Sequence, residues 1–415
     1  MTGARAGKEA RGAWRELAQG RAPRLDGLRA LAILSVFLYH LGRYDQPHGA
    51  AAEALLTFVA SGWAGVDLFF VLSGFLITGI LLRQREAPGR FRTFYARRFL
   101  RIFPLYYAVL LLFLVVLPRV TPQAERFWME GASHQTFWYW TYLSNLQAAF
   151  TGRYHHHFLE ITWTLAIEEQ FYLCWPLLVW SCSRRTLIRV CGGILAGAFL
   201  LRVALLALTD VPPLFLYNFT LTRIDTLAAG ALVAALVQEE GGVAWLERAA
   251  RVLLPVAGLG YLALLVGLRL ALVLRGAGPA QLGMAPALAF TVSPLLQTVG
   301  YSLLAFGFAA LLVRTLAARA DGLWVRLLQW GPVVRVGRYS YALYLLHVLG
   351  AEIARNSFDP ARYRGPFLVA QGTFWLLSFL ISYLLAAASW RLIEAPFLRL
   401  TRYFPYRPAP VRAGA

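Results

Sequence analysis

The chain contains little charge. Only 15% of its 415 residues are Asp, Glu, Lys or Arg, whereas 59% are hydrophobic, and the mean hydropathy is +0.55. A soluble domain carries about 25% charged residues, so this composition excludes an ordinary soluble protein. Apolar runs of about 20 residues recur along the chain, which is the length that crosses a bilayer as a helix. We therefore predict an all-α, polytopic transmembrane helix bundle.

Lysine and cysteine are scarce as well. Lys8 is the one lysine in the chain, so no apolar segment offers an amine for a Schiff base. The three cysteines form no CxxC pair, which argues against a disulfide framework and against a zinc site. The sequence also lacks the GxSxG, P-loop and GxGxxG motifs. It therefore gives no support to a soluble-type hydrolase, NTPase or dehydrogenase.

Arginine is abundant, and its distribution predicts the topology. Lys and Arg together number 40 against 21 Asp and Glu, a formal net charge of +19. With a cytoplasmic N-terminus, about 28 of these basic residues fall in inner segments and about 8 in outer loops. This bias explains the charge without nucleic-acid binding and places both termini in the cytoplasm. We predict ten spans, at about 25–42, 62–82, 100–117, 160–182, 186–208, 219–238, 250–273, 293–316, 337–352 and 369–391.

The chain accordingly divides into three parts. Residues 1–23 are predicted to form a basic cytoplasmic tail, residues 24–397 the transmembrane domain, and residues 398–415 a cytoplasmic tail. The predicted location is a bacterial cytoplasmic (inner) membrane, crossed many times. The sequence does not predict an oligomeric state.

The first span carries two costly polar residues, Arg29 and His40. Eleven residues at about 100° each place both side chains on one helix face, roughly 16 Å apart along the axis. One interpretation is that each side chain reaches the nearer headgroup layer. The other is a functional site, because such residues are tolerated where they face a bundle interior or a water-filled cavity.

A cluster of arginines precedes the third span. Arg97, Arg98 and Arg101 lie in an inner loop, and Arg98 and Arg101 share a helix face. Ordinary anchoring at the cytoplasmic surface is one interpretation. The other is an anion site, because guanidinium groups bind phosphate in a bidentate manner.

Polar residues also enter the fourth and ninth spans. Glu168 and Tyr172 are spaced i,i+4 on one face of the fourth span, and a buried carboxylate there needs a partner such as Arg29 or Arg223. The ninth span places Ser340, Tyr344 and His347 at i, i+4 and i+7, which predicts a polar stripe facing the interior. Depth counted at 1.5 Å per residue brings His40 and Glu168 within several Å of one level.

Other polar residues favour structural interpretations. In the second span, Gly65 and Gly74 are interpreted as allowing close helix packing, and Asp67 as interfacial. In the sixth span, Arg223 and Asp225 are interpreted as structural pairing partners.

Three features lie nearer the ends of the spans. The aromatic residues of segment 118–159 are explained mainly as a membrane-interface belt, with a sugar-binding platform as the alternative. The run His155-His156-His157 cannot share one helix face and has no carboxylate pattern beside it, so we predict no metal site. Glu394 is expected at the cytoplasmic surface, where it would neutralise the arginines.

Five motifs in this order resemble the acyltransferase 3 family of integral-membrane O-acyltransferases, which modify surface polysaccharides, lipid-linked sugars and some secondary metabolites. The resemblance extends from Arg24 to Phe397. Its motifs are the Arg-x10-His element at Arg29 and His40, GVDLFFVLSGFLI at 65–77, Arg-x-x-Arg at Arg98 and Arg101, WTLAIEEQFYL at 163–173 and SYALYLLH at 340–347. Some members carry an additional extracytoplasmic domain, which we do not expect in this chain.

The resemblance implies an acyl-CoA donor, usually acetyl-CoA, and no metal. Arg97, Arg98 and Arg101 would hold the CoA phosphates, and Arg29 would bind a phosphate or polarise the thioester carbonyl. His40 would act as general base on an acceptor hydroxyl, with Glu168 orienting it or stabilising its charged form. An acyl-histidine intermediate and His347 as the base remain alternatives.

The acceptor is expected to be a carbohydrate, a lipid-linked sugar or a metabolite presented at the lipid bilayer. The sequence leaves its identity, the acyl chain length and the side of the membrane open. A sugar-lipid transporter or flippase without acyl transfer is the alternative, because intramembrane Arg, Glu and His residues also serve proton relays.

Overall fold

The computed structural model describes residues 23–42, 49–120, 135–277, 291 and 293–406, and within these ranges every regular element is helical. The predicted N-terminal tail therefore lies outside the described residues except for Pro23, as does the C-terminal tail from residue 407. The all-α prediction is confirmed for the described part of the chain.

The α-helices are numbered here in chain order. Their bounds are α1 Pro23–His40, α2 Gly49–Ala60, α3 Gly65–Arg83, α4 Arg90–Leu111, α5 Leu117–Val120, α6 Phe137–Trp140, α7 Ser144–Thr151, α8 Thr162–Ser181, α9 Arg184–Leu208, α10 Phe215–Asn218, α11 Thr220–Leu236, α12 Gly242–Leu274, α13 Tyr301–Ala317, α14 Leu323–Leu328, α15 Gly331–Arg338, α16 Ser340–Ser357, α17 Phe367–Ser389 and α18 Ala395–Arg399. Short 3₁₀ segments, Ser61–Ala64 and Leu400–Tyr403, and π-helical segments, Leu112–Val116, Leu296–Gly300 and Trp390–Glu394, extend several of them.

Within the described ranges, seven helical stretches are long and apolar enough to cross a membrane. They coincide with seven of the ten predicted spans and are Leu55–Arg83, Arg90–Val120, Arg184–Leu208, Phe215–Leu236, Gly242–Leu274, Leu296–Ala317 and Phe367–Tyr403. The other three predicted spans correspond to α1, α8 and α16, which are 18, 20 and 18 residues long but fall outside this set. These three helices carry six of the nine candidate-site residues, and the other three, Arg97, Arg98 and Arg101, lie on α4. Ten spans and cytoplasmic termini remain predictions.

The outer surface of the bundle is apolar, as a lipid-facing surface requires. Along α12, Leu259, Leu262 and Leu270 are 67%, 55% and 56% exposed. In water such a surface would be an aggregation site, whereas in hydrocarbon it needs no partner. The chain is therefore an integral membrane protein by its helices and by its surface.

Glycine allows close contacts between helices in the core. A Cβ atom added to Gly74 of α3 would lie 1.9 Å from the carbonyl oxygen of Leu227 in α11, and one added to Gly230 would lie 2.0 Å from that of Val71. A Cβ on Gly65 would lie 2.5 Å from the carbonyl oxygen of Ala32. The predicted packing role of Gly65 and Gly74 is thus confirmed.

Two ion pairs lie inside this core. Asp67 on α3 accepts a 2.7 Å hydrogen bond from Arg223 on α11, and both side chains have 0% exposure. Arg202 on α9 donates to Asp225 at 2.7 Å. The prediction that Asp67 is interfacial is therefore wrong, because its charge is neutralised by a partner at depth. The structural pairing predicted for Arg223 and Asp225 is confirmed. Each of the two pairs with a residue of another helix, Arg223 with Asp67 and Asp225 with Arg202.

The aromatic segment after residue 134 folds against the bundle. Tyr142 stacks on Tyr106 of α4 with ring centroids 4.1 Å apart, and Trp140 stacks on Tyr107 at 5.8 Å. Tyr139 is buried, with 2% exposure. These residues are core contacts more than an interface belt. Trp128 and the rest of 121–134 lie outside the described residues.

Candidate active site

Arginines from two distant parts of the chain line one cavity, called here the arginine cavity. It has a volume of about 120 Å³ and brings Arg29 of α1 beside Arg98 and Arg101 of α4. The same cavity is lined by residues of α3, α8 and α16, namely Val66, Phe69, Phe70, Ser73, Ile102, Thr164, Leu165, Glu168, Tyr172, Ser340, Tyr341 and Tyr344. Six of the nine predicted site residues therefore meet at one place.

The carboxylate of this cavity is held by two hydroxyl groups. Ser73 Oγ donates to Glu168 Oε1 at 2.5 Å and lies 2.6 Å from the hydroxyl oxygen of Tyr172. Because Ser73 uses its proton on the carboxylate, Tyr172 donates in turn to Ser73. Sequence reasoning missed the part played by Ser73. The sequence feature that could have indicated Ser73 is its position next to Gly74, in a segment whose glycines we interpreted as a packing surface.

The three cavity arginines differ in their contacts. Arg29 donates to Asp26 Oδ1 at 2.8 Å. The guanidinium of Arg98 lies 5.4 Å from the ring centroid of Tyr172. Arg101 interacts electrostatically with Arg29 and Arg98, which repel it, and with Glu394 and Asp26, which attract it. Three guanidinium groups gathered at one cavity suit an anionic occupant, because each can donate several hydrogen bonds to it.

Arg97 is placed elsewhere. It donates to the backbone carbonyl oxygens of Thr401 and Phe404, at 3.1 and 3.0 Å, and its guanidinium lies 4.8 Å from the ring centroid of Tyr406. It does not line the arginine cavity. The structure therefore does not bring Arg97 together with Arg98 and Arg101, because its side chain holds the C-terminal segment against α4.

His40 lines a second and larger cavity, called here the histidine cavity. Its volume is about 290 Å³. It is enclosed by Val36, Tyr39, His40, Trp63, Val66, Tyr154, Glu160, Ile161, Trp163, Leu214, Tyr217, Thr291 and Tyr344. Val66 and Tyr344 also line the arginine cavity, so they form the wall that the two cavities share. The cavities therefore occupy successive levels along α1, α3 and α8.

His40 and His347 are in direct contact. His347 Nε2 lies 3.3 Å from His40 Nδ1, which is also 3.0 Å from the carbonyl oxygen of Val36. His347 Nδ1 lies 2.8 Å from the carbonyl oxygen of Tyr344. Because a carbonyl oxygen only accepts, both Nδ1 atoms are assigned the proton and His347 Nε2 accepts from His40. This leaves His40 Nε2 unprotonated, on a ring that lines the cavity.

Burial separates the two histidines. His40 is exposed to the cavity space, whereas His347 has 0% exposure. The predicted interior stripe is confirmed in position, because Ser340 and Tyr344 are each 6% exposed on the same helix. Glu168 is bonded to Ser73 in the other cavity, and no hydrogen bond joins it to His40 among the described residues. The orienting partner of His40 in this structure is His347.

Two features of the sequence lie outside both cavities. Glu394 was expected at the surface, but it is 5% exposed and accepts from Ser389 at 3.1 Å. In the histidine run, His155 lies 3.1 Å from Thr151 Oγ1, and burial lowers the pKa of His156 to about 4, which keeps it neutral. Ring contacts of His156 with aromatic residues Phe113 and Tyr139 indicate a packing role.

These observations define a class of protein before any relative is considered: a polytopic helical membrane protein with an anion-attracting cavity joined to a histidine-bearing one. Comparison with known families then identifies the family to which the chain belongs. The model of an acyltransferase domain matches residues 23–391. The chain therefore belongs to the acyltransferase 3 family.

Curated relatives agree with this assignment. The chain is 26% identical over 387 residues to the peptidoglycan O-acetyltransferase OatA of Listeria monocytogenes, covering 90% of this chain and 55% of that protein. It is 27% identical over 392 residues to O-acetyltransferase OatA of Staphylococcus aureus, covering 90% and 57%. A shorter match, 37% identical over 161 residues, is to a putative peptidoglycan O-acetyltransferase, YrhL, of Bacillus subtilis, covering 37% of this chain and 23% of that protein.

The chain spans somewhat more than half the length of the two relatives that it matches from end to end. No solved structure matches the chain significantly. The family assignment rests on the match of the acyltransferase domain over residues 23–391.

Proposed function

We propose that this protein is a membrane-embedded O-acyltransferase, which moves an acyl group from acyl-CoA, acetyl-CoA being the expected donor, to a hydroxyl of a carbohydrate. The observation that carries the proposal is the pair of cavities that share Val66 and Tyr344. One cavity is lined by three arginines and the other by His40. Two of the relatives compared above are named as O-acetyltransferases and the third as a putative one, which supports the same reaction.

The arginine cavity suits the anionic end of the donor. Arg29, Arg98 and Arg101 supply guanidinium groups, which bind phosphate by paired, charge-assisted hydrogen bonds. The acyl group is carried at the far end of a flexible arm. The acyl group would move past Val66, which lies between the two cavities, to reach His40.

His40 supplies the chemistry in the second cavity. Its Nε2 accepts the proton of the acceptor hydroxyl, and the hydroxyl oxygen forms a bond to the acyl carbon. The carbon–sulfur bond of the thioester breaks, and the proton passes from His40 to the leaving thiolate, giving free CoA. Because His347 accepts from His40 Nδ1–H, it favours the tautomer with a free Nε2 and stabilises the imidazolium. His347 is thus a positioning residue, and His40 is the base.

Ser73, Glu168 and Tyr172 would act on the donor side. Their hydrogen-bonded chain fixes a carboxylate within the arginine cavity, where it limits the excess positive charge and orients the neighbouring guanidinium groups. Glu168 is then a positioning residue for the donor. This replaces the role beside His40 that the sequence predicted.

We place residues 24–397 in a bacterial cytoplasmic membrane, with both termini and the arginine cavity on the cytoplasmic side. Acyl-CoA is made and kept in the cytoplasm, so the donor would enter there. A sugar-lipid transporter without acyl transfer is not favoured, since the relatives are named as O-acetyltransferases.

Acetyl-CoA binding to the purified full chain in detergent tests the proposal directly. We expect Arg98→Ala/Arg101→Ala to weaken binding at least tenfold, because two charge-assisted hydrogen-bonding groups are lost. Arg97→Ala is the matched control, since Arg97 is an arginine of the same helix α4 that does not line the cavity. His40→Ala should bind acetyl-CoA normally and fail to transfer. No acetyl-CoA binding by folded wild type, or full transfer by His40→Ala, would refute the proposal.

A further inference from the structure

The two cavities differ in charge. Three arginines line the arginine cavity, whereas no arginine or lysine is among the described residues that line the histidine cavity. Apart from tyrosine hydroxyls, the ionisable groups of this described lining are His40 and Glu160. A phosphate or carboxylate placed there would meet a carboxylate and, among the described residues, no arginine or lysine, which is unfavourable in a partly desolvated space. The described lining of the histidine cavity therefore does not favour a negatively charged ligand.

Aromatic side chains form much of its wall. Trp163 and Tyr217 lie with ring centroids 4.6 Å apart, and Trp63 lies 5.9 Å from Tyr217. Tyr39 and Tyr154 add hydroxyl-bearing rings to the same wall. Such rings offer apolar faces together with polar edges, which suits a ligand that presents both C–H surfaces and hydroxyls.

Glu160 is the polar group of this cavity that lacks a hydrogen-bond partner among the described residues. It lies in the turn before α8, and among the described residues its carboxylate has neither a hydrogen-bond donor nor a basic partner. It interacts electrostatically with the hydroxyls of Tyr39 and Tyr154. A partly buried carboxylate without a donor is costly, and a ligand hydroxyl would satisfy it.

We infer that the histidine cavity is the acceptor site, that it takes an uncharged carbohydrate unit, and that Glu160 binds a hydroxyl of this unit beside the one presented to His40. The inference rests on the proposed function and adds to it the location and the charge class of the acceptor. A volume of about 290 Å³ is near the lower end of the usual range for small-molecule pockets, about 300 to 1,000 Å³, so the cavity would hold one part of a longer glycan.

Steady-state transfer by the full chain in detergent, with acetyl-CoA as donor, tests this. The acceptor probes are an uncharged N-acetylglucosamine oligosaccharide and the same oligosaccharide carrying a 1-phosphate. We expect the phosphate to lower kcat/KM at least tenfold in the wild type. We expect Glu160→Gln to raise the KM of the uncharged acceptor about tenfold, the effect of losing a hydrogen bond to a charged group. Its kcat and its affinity for acetyl-CoA should stay within twofold of the wild type.

Glu352→Gln is the matched control. Glu352 forms an ion pair with Arg355 at 3.7 Å and does not line the cavity, so its neutralisation should leave the acceptor KM unchanged. Retained acetyl-CoA binding shows that each variant is folded. An unchanged acceptor KM in Glu160→Gln, a preference for the phosphorylated acceptor, or no transfer to the uncharged glycan would overturn the inference. A wild type that neither binds acetyl-CoA nor releases CoA would instead overturn the proposed function.

Discussion

The contact between His40 and His347 gives the sharpest test of how the site works. His347→Leu removes the acceptor at 3.3 Å from His40 Nδ1 but leaves the carbonyl oxygen of Val36 at 3.0 Å. His347 is fully buried and leucine has a similar size, so the packing is largely kept, and the lost hydrogen bond to the carbonyl oxygen of Tyr344 should lower the free energy of unfolding by about 0.5 to 1.5 kcal/mol. The variant therefore separates the role of His347 in activity from its role in packing.

The size of the effect follows from the charge that develops on His40. When His40 takes a proton in the transition state, its Nδ1–H becomes a charged donor to His347. A hydrogen bond to a charged group contributes about 1.5 to 3 kcal/mol, which corresponds to roughly 10- to 150-fold in rate. We expect His347→Leu to lower kcat by that factor with little change in the KM of either substrate. His347→Gln, whose amide oxygen can accept from His40, should recover part of the loss.

CoA release, followed continuously with a thiol reagent, measures these rates, with His40→Ala as the reference for loss of the base. An unchanged kcat in His347→Leu would refute the assignment of His347 as the positioning residue. Complete loss in His347→Leu together with activity in His40→Ala would instead make His347 the base.

Three further predictions concern the wall, the packing and the buried charge. Val66→Phe should obstruct the passage between the two cavities, so that acetyl-CoA still binds while the rate of acyl transfer falls at least tenfold. An equal loss of acetyl-CoA binding and of transfer would contradict this prediction. Gly74→Ala should lower the free energy of unfolding by at least about 1 to 3 kcal/mol, because its Cβ would lie 1.9 Å from a facing carbonyl oxygen. Gly79→Ala should be close to neutral, because its Cβ would meet only the flexible guanidinium of Arg83, at 3.5 Å, and thermal unfolding in detergent compares the two variants. Asp67→Asn should lower the free energy of unfolding by about 3 to 5 kcal/mol, because Arg223 would remain buried without its counter-charge. A melting temperature equal to that of the wild type would contradict this prediction.

Local spacing predicted the membership of the arginine cavity well. Arg98 and Arg101 share a helix face because they are three residues apart, and Glu168 and Tyr172 because they are four apart. The depth count also placed Arg29 near the arginine loop, where the structure has it. Arg97 lies outside this cavity because consecutive residues on a helix point about 100° apart, and a tertiary contact, here with the C-terminal segment, decides what its side chain meets.

Partners between helices were harder to predict. Depth alone suggested that Glu168 would meet His40, but depth does not fix the rotation of one helix relative to another. In the structure α8 turns Glu168 towards Ser73 of α3, while α16 brings His347 to His40. The same limit explains Asp67, whose partner Arg223 is 156 residues away in the chain.

The sequence by itself determined that this chain is a helical membrane protein with arginines near one end of its polar helices and histidine deeper inside. Those conclusions need only composition, the length of apolar runs and the period of the helix. The tertiary structure alone decided that the polar residues divide between two cavities, that Val66 and Tyr344 separate them, and that Glu160 faces the one lined by His40. The physical reason is that a cavity is enclosed by faces of several helices, and their mutual rotation is set by close contacts such as Gly74 against Leu227.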